Sequence, residues 1–212
     1  MDILLGTTNP SKINRFKGFL EGYDVRFFTP ADLGITAVPE ETGNDPRENA
    51  VLKARFYSRY FDTVICNDSG LYLDPLPLGD PRQPGLNIRT PGGGPRLDDE
   101  EMIRYYSDLV RSLGGRVLAY YLDGLAVSRR GRIHSYMASP ETVRDHSFYL
   151  VDTPSPARQP GWPLDSLSQN RKDLTFFSEG RNQQLEQEKE TTIPPYRMEV
   201  ISFLTHALDL AP

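Results

Sequence analysis

The sequence predicts an α/β fold in which a mixed sheet is flanked by helices, and three stretches carry that expectation. Ile3-Leu4-Leu5-Gly6-Thr7-Thr8 has the pattern of a short buried strand that runs through hydroxyls into a helix start at Asn9-Pro10. A helical period from Pro46 to Phe61 leads into the apolar, strand-forming run Thr63-Val64-Ile65-Cys66. Arg116 to Val127 and Arg132 to Tyr136 flank Arg129-Arg130-Gly131 in the manner of a long hairpin. The length of 212 residues suits a single domain, 1–212, with a two-lobed outline.

Composition removes several classes of function. The net charge is −5 and like charges do not cluster, which argues against general binding to nucleic acid or to acidic membranes. One cysteine, Cys66, leaves no disulfide frame and no thiolate metal site, as expected of a reduced, cytoplasmic setting. Met1-Asp2-Ile3-Leu4-Leu5-Gly6 lacks a basic segment ahead of a long apolar one, so neither export nor anchoring is expected. A Walker A loop, a G-x-G-x-x-G turn, a G-x-S-x-G elbow, an H-E-x-x-H helix and Cys/His clusters are all missing from the sequence.

Taken in order, Asn9 suits an N-cap and Pro10 the first helical position, and Ile13, Phe16 and Leu20 share one face of the first helix. A strand, a polar turn and a helix N-terminus together form a phosphate site in many α/β proteins, and Lys12 in the first turn calls for an anion. An ordinary capped helix with a solvated Lys12 fits the same residues. Tyr23 to Phe28 reads as a second strand, followed by the acidic loop Pro39 to Asp45. On the next helix Ala50, Ala54, Tyr57 and Phe61 form one face, while Asn49 and Lys53, four residues apart, share another. That second face either presents an amide and an ammonium to a ligand or lies in solvent.

The run from Thr63 to Asp74 is read as a buried strand broken by a polar turn, Asn67-Asp68-Ser69-Gly70. Asp68 either ties its own turn or serves a cation or a reacting group. Asp74 to Arg96 is a long Pro/Gly-rich loop in which Arg89 is the most useful cation. Asp98 and Glu101 form a capping-box pair for a helix whose inner face is Met102, Tyr105, Leu109 and Leu113 and which stops at Gly114-Gly115. His134 reads as packed or solvated. Ser147 to Val151 is a further strand, and Asp152 to Asp165 is irregular, with Trp162 either covering core or offering a stacking platform. Glu186 to Glu190 reads as a short helix or loop, and Pro194-Pro195 starts a last helix with Ile201, Leu204 and Leu208 inside. As a set, Thr7, Asn9, Lys12, Lys53 and Arg89 suit a polyphosphate, and Glu41, Asp68 and Asp74 suit Mg²⁺.

Three motifs then carry a resemblance. Thr7-Thr8-Asn9-Pro10-Ser11-Lys12, Glu41-Thr42-Gly43 with Glu48-Asn49-Ala50-Val51-Leu52-Lys53-Ala54, and Asn67-Asp68-Ser69-Gly70-Leu71-Tyr72-Leu73-Asp74 resemble, in order and spacing, the inosine triphosphate pyrophosphatase family. The resemblance implies an elongated sheet with a central cleft between two lobes, usually in a homodimer. It implies Mg²⁺-dependent cleavage of ITP, dITP or XTP to the monophosphate and pyrophosphate. It assigns Asp68 and Lys53 to catalysis and Thr7, Asn9, Lys12, Asn49, Lys53, Ser69 and Arg89 to the substrate. Glu41, Asp68 and Asn67 fall to the metal, and Trp162, Asp165, Lys189 and Arg197 to the base. The chain departs from the family pattern at Asn67, where the family carries Asp, and more widely in its second half, at Trp162-Pro163-Leu164-Asp165 and Pro195-Tyr196-Arg197. Those departures leave two alternatives: a nucleotide-binding sensor with weakened catalysis, or a pyrophosphatase for another modified nucleotide.

Overall fold

The computed structural model describes residues 1–179 and 195–210. It is a mixed α/β structure whose seven strands form one mixed sheet with helices against it. The chain divides into two compact units. The first takes Met1–Ser69, Leu122–Thr142 and the C-terminal helix Pro195–Leu208; the second takes Gly70–Tyr121 and the described residues from Val143 to 179.

In the first unit β1 (Asp2–Leu5) lies parallel to β2 (Arg26–Phe28) on one side and to β3 (Val64–Leu73) on the other. Parallel neighbours need crossover connections, supplied here by α1 (Pro10–Phe19) and α2 (Pro46–Tyr57). Each helix closes one face of the sheet. Phe16 and Leu20 join Ile3, Leu5, Ile65, Leu125, Val200 and Leu204 in one core. Ala50, Ala54 and Tyr57 of α2 join Leu4, Val64, Cys66 and Ala126 in the other. Side chains along a strand alternate between faces, so Ile65, Asn67 and Ser69 point toward α1 while Cys66 and Asp68 point toward α2. The second half of β4 (Arg116–Arg129) pairs antiparallel with β5 (Arg132–Met137) through Arg130-Gly131, both at positive φ (49° and 73°), the two-residue turn that matches strand twist.

In the second unit the first half of β4 pairs with β6 (Phe148–Val151), and β6 with β7 (Ser168–Gln169). Helix α3 (Asp99–Ser112) starts in the expected capping box of Asp98 and Glu101 and ends where Gly115 N–H bonds the Val110 carbonyl. Its buried face uses Tyr106, fully enclosed with its hydroxyl on the Ile88 carbonyl, whereas Tyr105 turns outward.

The expected turn at Asn67-Asp68-Ser69-Gly70 does not exist; β3 runs unbroken from Val64 to Leu73. Asp68 and Ser69 remain in the sheet because each finds a partner there, as the next subsection describes. Gly70 answers a different need. A Cβ on it would meet the Tyr72 ring at 2.8 Å and the Gly85 backbone at 3.1 Å, where Leu71 and Gly85 exchange two hydrogen bonds of 3.0 and 2.8 Å. Two boundaries also differ from expectation. Helix α2 stops at Tyr57, where Ser58 caps it, and Phe61 reaches the core from outside the helix, 5.5 Å from the Phe28 ring. Strand β2 begins at Arg26 instead of Tyr23.

Helix α2 packs over β5 and starts hard against β4, where a Cβ on Gly124 would collide with the backbone of Pro46 and Arg47. Backbone cannot step aside as a side-chain tip can. Gly124→Ala is therefore expected to cost about 3 kcal/mol and to lower the melting temperature by about 6–12 °C in scanning calorimetry. A shift below about 2 °C would mean that α2 is not seated on β4.

Candidate active site

The candidate site lies within the first unit and is built on Asp68. Its carboxylate is buried at 8% exposure and held at both oxygens: Asn49 Nδ2 donates to Oδ2 at 2.8 Å and Lys53 Nζ to Oδ1 at 3.0 Å. Asn49 and Lys53 reach it together because they sit one turn apart on α2. Both are buried, so of the two readings of that helix face the solvated one is excluded. Asp45 caps α2 by accepting from Glu48 N–H, and Pro46 occupies the first helical turn, where its missing donor costs nothing. Asn49 also reaches the preceding loop, since its Oδ1 accepts from Gly43 N–H at 2.8 Å. A Cβ on Gly43 would lie 2.8 Å from that oxygen, so glycine permits the approach. The pinned loop brings Glu41 Oε1 to 3.0 Å from Lys53 Nζ. Lys53 thus bridges a buried and an exposed carboxylate and also donates to the Asn67 carbonyl at 3.4 Å. Burial disfavours its charge, but Asp68 and Glu41 outweigh that and raise its pKa above the ordinary lysine value.

Beyond the end of β1 the chain turns through Thr7, whose Oγ1 accepts from Asn9 N–H at 3.2 Å, and Ile13 N–H then bonds the Asn9 carbonyl to begin α1. Lys12 makes no hydrogen bond or ion pair among the described residues. Burial and the nearby Lys53 ammonium lower its pKa, opposed by Asp68 and Asp123. An ammonium near the positive end of a helix, pressed by a second cation and with no direct partner among the described residues, is arranged to receive an anion.

A second buried carboxylate, Asp123 on β4, stands on the α1 face at 5% exposure. Arg15 grips it with two bonds of 2.8 and 3.3 Å, Tyr196 Oη donates at 2.5 Å, and Ser69 Oγ donates to Oδ1. Burial pushes its pKa up, but Arg15 and the donated bonds more than compensate and hold it below the usual carboxylate range. Sequence reasoning missed Asp123, Arg15 and Tyr196. The available signal was one charge inside the apolar strand run from Val117 to Val127.

Other expected residues have partners of their own. Asn67 is buried on the α1 face, opposite Asp68, and so is not gathered with Glu41 and Asp68. In the second unit Asp74 is exposed, 4.0 Å from Arg144. Arg89 is bound to Asp99 at 2.9 Å and to the Gly161 carbonyl at 3.2 Å, and Gly161 N–H returns a bond to Asp99 at 2.7 Å. Arg89 therefore fastens the loop bearing Trp162 to the start of α3. Trp162 is 39% exposed and Asp165 half-buried, beside Tyr121. Arg197 donates to the Gly18 carbonyl at 3.0 Å and stacks over Phe19, joining the C-terminal helix to α1. His134 faces His206 with ring centroids 6.3 Å apart, away from these groups. Lys189 and the stretch from Glu186 to Glu190 lie outside the described residues. Among the described residues no three His, Cys, Asp or Glu side chains converge as a metal cluster, and no helix is long and apolar enough to cross a membrane.

Comparison with known proteins gives this arrangement a family. The Ham1 family profile matches residues 3–132, which include all three motifs, and the chain belongs to that family. A dITP/XTP pyrophosphatase of Bacillus subtilis is 31% identical over 157 residues, 72% of this chain and 73% of that protein. A dITP/XTP pyrophosphatase of Thermoanaerobacter pseudethanolicus is 46% identical over 77 residues, a match that spans 36% of this chain and only 39% of that protein. The Ham1 protein of Staphylococcus aureus has a similar fold, with a TM-score of 0.66 at 24% identity over 99% of this chain and 98% of that one. One from Coxiella burnetii gives 0.68 at 18% identity over 97% and 99%.

The state of Lys12 has a measurable cost. A lysine pKa lower in the folded chain than the ordinary ~10.4 of the unfolded one means that its charge destabilises the fold at every pH below the folded value. That penalty fades as pH climbs to the unfolded value. Lys12→Met is expected to raise the melting temperature of the ligand-free protein by about 2 °C at pH 7, with the gain shrinking as pH rises toward the ordinary lysine value. A melting temperature that falls at pH 7 would show Lys12 to be a structural cation.

Proposed function

We propose that the protein is a hydrolase of acid anhydrides that cleaves ITP, dITP or XTP to the nucleoside monophosphate and pyrophosphate. One observation carries this reading: within a Ham1-family chain, Lys53 fixes Asp68 against Glu41 while Lys12, at the start of α1, has no hydrogen-bond or ion-pair partner among the described residues. The relatives' names, dITP/XTP pyrophosphatase, support the substrate class.

In this mechanism the N-terminal turn of α1, with Thr7, Asn9 and Lys12, binds the phosphates. Asp68 takes the proton of the attacking water. Its oxygens each accept one bond from Asn49 or Lys53, which orients the carboxylate and leaves lone pairs for that proton. Lys12 and Lys53 stabilise the charge that collects on departing pyrophosphate. Glu41 and Asp68 form an all-oxygen carboxylate pair with no nitrogen or sulfur donor, a set that fits Mg²⁺, and they would hold it together with substrate oxygens. Bound there, the ion would neutralise triphosphate charge. On the resemblance, Trp162 and Asp165 are assigned to the base, and a homodimer is the expected assembly.

The test is pyrophosphate release with Mg²⁺ from a panel of ITP, dITP, XTP, dATP, dGTP and pyrimidine triphosphates. Turnover of the first three above the rest is expected, and Asp68→Asn is expected to lower kcat by about 10²–10⁴-fold. No turnover of any triphosphate would sink the enzyme reading. Turnover confined to pyrimidines would move the substrate class.

A further inference from the structure

Asn67 presents a polar problem that the proposed chemistry does not use. Its side chain is only 2% exposed, and its Oδ1 has no hydrogen-bond partner among the described residues. A buried acceptor left open forfeits its hydration with nothing in return, so a donor is called for. Its Nδ2, by contrast, donates to Ser69 Oγ at 3.4 Å, and Ser69 in turn donates to Asp123.

The direction of that chain follows from Asp123. An ionised carboxylate only accepts, and Arg15, Tyr196 and Ser69 all donate to it. The one Ser69 hydroxyl proton is therefore committed to Asp123, and Ser69 Oγ offers Asn67 nothing but lone pairs. With the amide turned the other way, Oδ1 would face those lone pairs, acceptor against acceptor. Only one orientation is tolerated, and it leaves Oδ1 as the open end.

We propose that Asp123 is a positioning residue: through Ser69 it fixes the orientation of the Asn67 amide and presents Asn67 Oδ1 as a buried acceptor for a water or hydroxyl that arrives with the phosphate ligand. The inference rests on the proposed nucleotide reading for its ligand, but not on Asp68 or the metal. Asn67 lies one residue from Asp68 on the strand and on the face where Arg15 follows Lys12 by three residues on α1, so the acceptor belongs to the same locality as the phosphate turn.

An exchange of residues tests this. Asp123→Asn frees the Ser69 proton and lets the amide turn. In the double variant Asn67→Asp/Asp123→Asn, residue 67 carries oxygen at both ends, needs no orienting, and the total charge equals that of the wild type. Expected at 25 °C are a roughly tenfold or larger fall in kcat/KM for dITP and a weaker Kd for pyrophosphate with Mg²⁺ in Asp123→Asn. Both should recover to within about threefold in the double variant. A carboxylate that only braced the fold would not be replaced by a change at position 67. If Asp123→Asn does not fold, Ser69→Ala with and without Asn67→Asp gives the same comparison. Unchanged constants in a folded Asp123→Asn or Ser69→Ala variant, or failure of Asn67→Asp to restore them while melting temperatures match, overturn the relay. Wild-type protein without turnover overturns the proposed activity instead, and the relay is then judged on pyrophosphate affinity alone.

Discussion

The Lys53 ammonium is the charge on which the α2 side of the first unit depends. It lies under a helix and against a strand, where an unpaired cation would be expelled, and it stays because Asp68 and Glu41 meet it at 3.0 Å each. The same contact keeps Asp68 in the sheet and Glu41 at the end of its loop. Replacing Lys53 would leave two carboxylates facing each other without a cation, whereas loss of either carboxylate leaves one ion pair intact. The α1 side repeats the device with Asp123 as the centre and Arg15, Ser69 and Tyr196 as its donors. One polar tripeptide, Asn67-Asp68-Ser69, therefore feeds two networks on opposite faces of a single strand.

Much of the fold was legible because its signals are local. Asn9-Pro10, Pro46, the Asp98/Glu101 box, Gly114-Gly115 and Arg130-Gly131 each state their geometry within a few residues, and the elements they bound are present. The polar stretch of β3 was misread for the opposite reason. Asn, Asp, Ser and Gly in succession have the composition of a turn, and only the buried partners supplied by α2 and β4 make a strand of them. Tertiary contacts overrode a local preference that was itself correctly read.

The candidate site divides along the same line. Asn49, Lys53 and Asp68 fall within twenty residues, and helical spacing puts the first two on the face that meets Asp68 on the following strand. Asp123 meets Arg15 across 108 positions and Tyr196 across 73, so no spacing rule could join them. Arg89 and Arg197 show the converse, in which a cation that looks available in a sequence is engaged in the structure, one by Asp99 and the other by the Gly18 carbonyl. The Ham1-family match covers the legible part, residues 3–132, and the second half, where the motifs fade, follows from the fold alone.

Cys66 has a practical consequence. The only thiol in the chain is 1% exposed, it lies against Gly6 so closely that a Cβ there would strike its sulfur, and burial pushes its pKa up to about 12. Thiolate is the nucleophile in maleimide and disulfide chemistry, and here it is scarce and shielded. The native chain therefore offers a silent background for labelling, and a single cysteine placed on the Glu41 loop or beside Trp162 would report on that segment alone.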